Sequence, residues 1–395
     1  MNSSTTTAQS PTTHTPTILQ VGAGLEQGGV ERGLVEMAQY LATKNWHCIV
    51  ASAHGKLVED VVKTGALHFP LPLDKRSPWH IIQNGLALAK LVRENNVDII
   101  HAHSRAPAWA GLLASKLTGV PFMTTFHGTH GIQNPFKKFY NSSMVRSKHV
   151  VVVSQFIQRH VRNNYRVPEK NIYLAPRGYD PKVFDPAKVS SQAIENLWTQ
   201  WQIPAATPII MLPGRLTRWK GHTLLLEALS KLRNLPWKLV IVGGYNKKNS
   251  YYWELQNQIK AYNMADRCLF VGSQDDMPLY YSAADVVVTP TLKGEAFGRV
   301  NVEAQAMGKP VIATNHGGAA ETILSGETGW LVRPGSPEKL SHAIADAITD
   351  RNRLKIMGEK AQKWVKENYT LNQMCQAECA VYEKILAEQA QKQDT

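Results

Sequence analysis

Two segments carry side chains whose types and spacing suit a defined chemistry. The first is Gly214-Arg215-Leu216-Thr217-Arg218-Trp219-Lys220-Gly221, which follows a short apolar run and precedes a helix-like stretch. A guanidinium fork and an ammonium point charge at one strand end suit a diphosphate, each charged hydrogen bond contributing about 1.5–3 kcal/mol once desolvated. An ordinary basic loop has the same composition, and the spacing is not that of a Walker A loop. The second is Glu295-Ala296-Phe297-Gly298-Arg299-Val300-Asn301-Val302-Glu303, with two carboxylates eight positions apart across a loop and a helix start. Backbone amides there, at Phe297, Gly298 and Arg299, suit an anion, while Glu295 in the loop and Glu303 in the second turn suit sugar hydroxyls. Anion and polyol would share one pocket. Glutamates at this spacing also occur as solvated helix residues; the Gly-rich, apolar setting is what singles these out.

Three weaker signals lie in the first half. Gly28-Gly29 opens a helix after the first strand, where glycines permit close backbone approach or form a plain tight turn. His127 closes a strand and is followed by Gly128. His101 and His103 share one side of a strand and are readable as metal ligands. No third ligand has suitable spacing and no DxD occurs, so no metal site is expected.

The elements that must position these residues alternate in a βαβ rhythm. Strands are expected at 18–22, 47–52, 67–71, 97–103, 122–127, 150–154 and 172–176, with helices at 30–43, 79–94 and 107–117. A second series has strands at 209–212, 239–243, 269–272, 286–290 and 311–314, a helix at 299–307 and near-continuous helix over 337–390. Residues 1–16, a Ser/Thr run, read as a disordered tail, 17–179 as one Rossmann-like domain, 180–206 as a Pro-marked linker, 207–354 as a second such domain and 355–395 as terminal helices packing back on the first. Open parallel sheets bind ligands at their strands' carboxyl ends, so the expected fold is α/β with two sheets facing across a cleft that holds the site.

Gly214–Gly221, the E-x7-E of Glu295 and Glu303, and the following AQAMGKPVIATNHGGAAE ending at Glu321 resemble, in order and spacing, the nucleotide-sugar domain of retaining glycosyltransferases of family 4, which have the GT-B fold. The likeness covers nearly the whole chain from Thr17. It implies that Arg215 and Lys220, with Gly214, hold the donor diphosphate, that Glu295 contacts the transferred sugar and that Glu303 binds the ribose. It also implies that Gly28 and Gly29 border the donor phosphate and the acceptor, and that His127 contacts the donor sugar. Two segments depart from the usual wording: Arg177-Gly178-Tyr179-Asp180 stands where NGVD is common, and Glu295-Ala296-Phe297-Gly298 where EGFG is. The wording is similar to a bacterial branch acting on the lipopolysaccharide core, including GDP-mannose enzymes. The implied reaction is metal-independent hexosyl transfer from GDP-mannose or a UDP-sugar to a lipid-linked or lipopolysaccharide-core glycan, with no cofactor. A GT-B sugar-nucleotide epimerase and a noncatalytic sugar-nucleotide-binding protein are the alternatives.

Composition narrows the partners. The 395 residues are 43% hydrophobic and 19% charged, a globular profile, and four scattered cysteines form no disulfide framework, so reduced thiols are expected. Cys375 and Cys379, four apart on a helix, read as packing residues. No GxGxxG follows a strand with an acid some 20 residues on, which disfavours a nicotinamide dehydrogenase. Net charge is +13, of which residues 1–190 carry +10 (21 Lys+Arg against 11 Asp+Glu). No nucleic-acid-binding signature accompanies it, so nucleic acid is not an expected partner. An ordinary solvated surface, anionic lipid and a phosphorylated substrate remain. Residues 135–148 interleave Phe136, Phe139, Tyr140, Met144 and Val145 with Lys137, Lys138, Arg146 and Lys148. A helix there would suit reversible contact with an anionic membrane, which predicts a cytoplasmic protein peripheral on the inner face of the cytoplasmic membrane.

Overall fold

A computed structural model describes residues 14–26, 28–204, 206–246 and 248–393. The expected tail lies outside them up to residue 13; from there the chain enters the first strand, with His14 Nε2 2.8 Å from Asp98 and Pro16 O accepting from His47 N.

The first sheet is built from β1 (Thr17–Val21), β2 (His47–Ser52), β3 (Leu67–Pro70), β4 (Ile99–Ala102), β5 (Phe122–Phe126), β6 (His149–Val152) and β7 (Ile172–Leu174), in the order β3-β2-β1-β4-β5-β6-β7. The second has β8 (Ile209–Pro213), β9 (Lys238–Val242), β10 (Cys268–Gly272), β11 (Val286–Thr289), β12 (Val311–Thr314) and β13 (Gly329–Val332), in the order β10-β9-β8-β11-β12-β13. Both are parallel. Helices α1 (Gly29–Thr43), α2 (Val58–Lys63), α3 (Pro78–Glu94), α4 (Arg105–Thr118), α5 (Pro135–Asn141) and α6 (Gln155–Tyr165) accompany the first series. Helices α7 (Ser191–Gln200), α8 (His222–Ser230), α9 (Ser250–Ala261), α10 (Met277–Ala283), α11 (Arg299–Ala306), α12 (Pro337–Thr349), α13 (Arg351–Asn368) and α14 (Leu371–Gln393) follow.

The second sheet shows why its strands read as unbroken apolar runs. Ile210, Leu212, Leu239, Ile241 and Val288 face a core closed by Leu225, Leu229, Leu340 and Ile344, while their neighbours Ile209, Met211, Val240, Val242 and Val287 face another closed by Tyr281, Ala304 and Met307. A parallel sheet covered on both faces needs apolar side chains at every position. Strand β13 was not expected, because its GWLV lacks a β-branched run. It pairs with β12 at Val311↔Gly329, where a Cβ on Gly329 would lie 2.1 Å from Val311 O, so the edge forms only with glycine.

By packing, the chain divides into two compact units: residues up to Thr125, Ile132–Val150 and from Tyr382 on, and Phe126–Gly131 with Val151–Val381. The division differs from the expected boundaries, for identifiable reasons. Residues 151–179 belong to the second unit: Ser154 Oγ donates to Ala296 O at 2.5 Å, and the first amides of α6, Gln155 and Phe156, donate to the Glu321 carboxylate at 2.8 and 2.6 Å. The polar helix of the expected linker, α7, places Leu197 and Trp201 in the second unit's core. In this division α14 counts with the second unit through Val381 and with the first from Tyr382.

Residues 135–148 do not form one helix. α5 ends at Asn141 and a 3-10 turn follows over Ser142–Val145, with Met144 1% exposed and its carbonyl accepting from Thr124 Oγ1 at 2.6 Å. The hydroxyls of Ser142 and Ser143 bond backbone carbonyls at Phe139 and Arg105, which competes with the helical pattern. Phe136, Lys137, Lys138 and Phe139 remain exposed. No described helix is long and apolar enough to cross a membrane.

Candidate active site

In the second sheet the strand order reverses between β8 and β11, the position at which open α/β sheets leave a crevice beyond the strand ends. Both chemistry-bearing segments leave from that point: Gly214–Gly221 from the end of β8, and the loop carrying Glu295 from the end of β11. The two loops are stitched together by Leu292 N donating to Trp219 O at 2.7 Å. Gly221 permits this. Its φ is +78°, and a Cβ there would sit 1.8 Å from Pro290 O.

Lys220 Nζ consequently donates to Glu295 Oε1, with both side chains about 85% buried (16% and 14% exposed). Lys220 Nζ also stands 4.4 Å from the Trp219 ring centroid. Arg215 is exposed, and among the described residues its guanidinium has no hydrogen-bond or ion-pair partner. Arg218, of the same charge, is engaged elsewhere: it forms a two-pronged pair with Glu254 (2.6 and 2.5 Å) and lies 4.8 Å over Tyr251. The basic loop thus separates into two engaged cations, Arg218 with Glu254 and Lys220 with Glu295, and one, Arg215, without a partner among the described residues.

Helix α11 begins at Gly298, whose φ of +96° and whose missing Cβ, 2.9 Å from Ala319 Cβ, let the loop turn tightly into the helix. No side chain caps that end, and Asn301 N donates to Gly298 O at 3.0 Å. Buried Asn301 anchors the helix, accepting from Thr289 Oγ1 at 2.9 Å and donating to Ala319 O and Thr322 Oγ1 at 3.3 Å. The Glu295 backbone is held as well, its carbonyl accepting from Gly318 N at 2.7 Å. Glu303 sits in the second turn, 17% exposed, with Arg299 Nε at 3.7 Å. The fully buried Tyr281 donates its hydroxyl to Glu303 at 3.1 Å. Burial and the adjacent carboxylate push the Tyr281 phenol well above its ordinary range, so it remains a donor.

His127, just past β5, meets a partner that only the tertiary structure supplies. Arg177 Nη2 stands 3.0 Å from His127 Nδ1, and Arg177 Nη1 pairs with Glu378 at 2.9 Å, the arginine 4% and the glutamate 1% exposed. Arg177 is where the sequence departs from the NGVD wording. The same Nη2 is 3.5 Å from His127 Nε2; a guanidinium is donor-only, so the ring nitrogen it meets accepts.

His222, the first residue of α8, is 1% exposed, and burial with the Lys220 cation lowers it from 6.5 to about 4. Gly28, in the first unit, caps α1 in extended conformation, with no side-chain cap and Arg32 N donating to its carbonyl at 3.0 Å. Gly29 is the first residue of that helix. His101 spends both ring nitrogens on hydrogen bonds, to Tyr382 and Thr125 at 2.7 Å each, which leaves none for a metal.

The structure therefore joins Lys220 with Glu295 and Glu303 with Arg299. Sequence reasoning missed Tyr281, Arg177 and Glu321. A pair of tyrosines in a short apolar helix gave no signal for Tyr281, whereas the RGYD departure and the acid ending the third motif were visible signs of the other two.

The family model described as glycosyl transferases group 1 covers residues 194–364, and that described as glycosyltransferase family 4 covers residues 27–183. The crystal structure of a glycosyltransferase from Rickettsia africae is similar over 94% of this chain and 99% of that one, with TM-score 0.87 and 37% identity. The chain belongs to glycosyltransferase family 4. Its two parallel sheets are those of the GT-B fold. This glycosyltransferase is also 33% identical, over 58% of its length, to the lipopolysaccharide 1,2-N-acetylglucosaminetransferase of Salmonella typhimurium, spanning 60% of that enzyme. It is 26% identical to a GDP-mannose-dependent α-(1-6)-phosphatidylinositol monomannoside mannosyltransferase of Mycolicibacterium smegmatis, over 71% of this chain and 75% of that one.

Proposed function

We propose that this glycosyltransferase moves a hexose, with retention of configuration, from a nucleoside-diphosphate sugar to a lipid-linked or lipopolysaccharide-core glycan. The observation that carries the reading is the pairing of Lys220 with Glu295 at the strand-order reversal, in the loop whose Arg215 has no partner among the described residues. Cations for a diphosphate and a carboxylate for sugar hydroxyls stand side by side there. GDP-mannose or a UDP-sugar is the donor; GDP-mannose is supported by the mycolicibacterial relative and the lipopolysaccharide acceptor by the Salmonella one.

In this reaction the bond between the sugar's anomeric carbon and the diphosphate oxygen breaks as the acceptor hydroxyl adds on the same face. The acceptor's proton passes to the departing phosphate oxygen. Arg215, Lys220 and backbone amides at the start of α11 receive the charge that develops on the diphosphate, where a fixed donor is worth about 10²–10³ in rate. Glu303 accepts from the ribose hydroxyls. Glu295 accepts from the sugar, and His127, held by Arg177, contacts it. Fixed cations supply the neutralising charge, so no metal is required.

The acceptor reading extends to the membrane: exposed Phe136 and Phe139 flank exposed Lys137 and Lys138, and with Arg146 and Lys148 they make a reversible contact with anionic lipid on the cytoplasmic side.

The test is a donor-hydrolysis and transfer screen over UDP-, GDP- and ADP-sugars, then lipid acceptors, run with and without EDTA. Arg215→Ala and Lys220→Ala are each expected to lower turnover at least about 100-fold, about 2.7 kcal/mol, with activity persisting in EDTA. Near-normal turnover in both variants, or activity lost to EDTA and restored by Mn²⁺, would overturn the assignment.

A further inference from the structure

The outward face of α3 carries three exposed apolar side chains beside exposed Gln83 and Lys90. Trp79 is 65% exposed, Ile82 47% and Leu86 55%, at i, i+3 and i+7, one continuous stripe along the helix. The opposite face is ordinary core, with Leu88, Ala89, Leu91 and Val92 buried. Lys90 and Arg93 continue the same stripe toward the C-terminus, and Lys75 and Arg76 stand just before its start. No acid interrupts Lys75 to Arg93; Asp74 and Glu94 bound the stretch, each 3.7 Å from the neighbouring lysine, Lys75 or Lys90.

Helix α3 packs on α4, whose Trp109 meets the α5 segment. Burial raises the Tyr140 phenol, with the charges of Arg105 and then Arg76 opposing it. Trp109 of α4 bridges the region: its ring lies 5.4 Å from that of Phe139, its Nε1–H donates to Tyr140 O at 2.9 Å, and Arg146 covers it at 4.9 Å. Exposed Phe136 (84%) and Phe139 (62%) lie on α5 of the same unit.

We propose that α3 is the apolar anchor of a membrane-docking face, with Trp79, Ile82 and Leu86 seated at the headgroup–acyl boundary of an anionic bilayer. The inference rests on the lipid-linked acceptor reading and names the surface that reads the lipid. Tryptophan above a basic rim is the composition that interfacial helices use. A second copy of this chain is the poorer occupant, because a two-fold contact across the stripe would bring Lys75, Arg76 and Lys90 of one copy against the same residues of the other.

The test is cosedimentation of the full chain with phosphatidylcholine vesicles with and without 30% phosphatidylglycerol, comparing wild type with the triple variant Trp79→Gln, Ile82→Gln, Leu86→Gln. The triple variant is expected to lose at least tenfold in partitioning to anionic vesicles, while its affinity for free nucleoside diphosphate and its thermal midpoint stay at the wild-type values. Trp79→Phe should retain most of the binding, and 0.5 M salt should weaken the wild type. Binding by the triple variant equal to wild type overturns the α3 proposal whatever the donor assays show. Loss of nucleotide affinity with unchanged vesicle binding overturns it too. A lipid-free dimer in sedimentation velocity that the triple variant abolishes would assign the stripe to self-association instead.

Discussion

Replacing Glu295 by Gln should separate binding from transfer in opposite directions. In the free protein Lys220 is held by Glu295, and both groups are about 85% buried. At contact distance and an effective dielectric near 20, their attraction is on the order of 5 kcal/mol, most of it offset by desolvation of the two charges. A net 1–2 kcal/mol is about what a partly buried pair retains, and an incoming diphosphate must overcome that to engage Lys220. Gln keeps the shape and an acceptor oxygen but removes the competing charge and its repulsion of the phosphates. Free nucleoside diphosphate should therefore bind about 5- to 30-fold more tightly to Glu295→Gln than to wild type. Sugar transfer should fall at least about 100-fold, because the carboxylate that accepts the sugar's hydroxyls is gone. Titration calorimetry with the nucleoside diphosphate and a transfer assay at saturating donor measure the two effects. Lys220→Ala should weaken the same binding, and adding Glu295→Gln to it should restore part of the loss by removing the unpaired carboxylate. Unchanged or weaker nucleotide affinity in Glu295→Gln would refute the competition.

Three further outcomes are expected. Arg177→Met leaves Glu378, 1% exposed, without its cation and should cost about 3–5 kcal/mol of stability; adding Glu378→Gln should recover most of the thermal midpoint but not the transfer rate, since His127 Nδ1 stays without its donor. Recovery of both would make the pair purely structural. Tyr281→Phe removes the hydroxyl that orients Glu303 and should weaken nucleotide binding about 5- to 10-fold, with Glu303→Ala weaker still; calorimetry showing wild-type affinity for Tyr281→Phe would dismiss the contact. His222 is lowered from 6.5 to about 4, so between those values the unfolded chain binds the extra proton; its contribution is complete above pH 6.5 and is lost as pH falls toward 4, about 3 kcal/mol in all. Urea midpoints of His222→Phe should lose less on acidification across that window than those of wild type, and parallel curves would contradict it.

Much of the architecture was legible in local pattern, because the period of apolar residues reports the element and both faces of a parallel sheet are buried. Strands β2 and β12 begin and end where the apolar runs do. The short edge β13 was not legible, since its glycine is demanded by a neighbour's carbonyl and not by any local rule. The break at Asn141 was hidden for a related reason: serine hydroxyls choose between helix and turn according to which carbonyls lie within reach.

The candidate site divides in the same way. Sequence alone determined which residue types cluster: the basic loop after β8, the two carboxylates around the start of α11, the histidine after β5 and the glycines that let loops turn into helices. Only the tertiary structure decided the partners. Lys220 meets Glu295 across 75 residues, and Arg177 meets His127 across 50, because strand order places β8 beside β11 and the fold returns residue 177 to the end of β5. It also distinguished Arg218, taken by Glu254, from Arg215, two chemically equal residues in one loop. The physical reason is range: backbone torsions and apolar periodicity act over a few residues and leave their mark in the sequence, whereas a hydrogen bond or ion pair is short in space but indifferent to separation along the chain, so it exists only once the sheets are assembled.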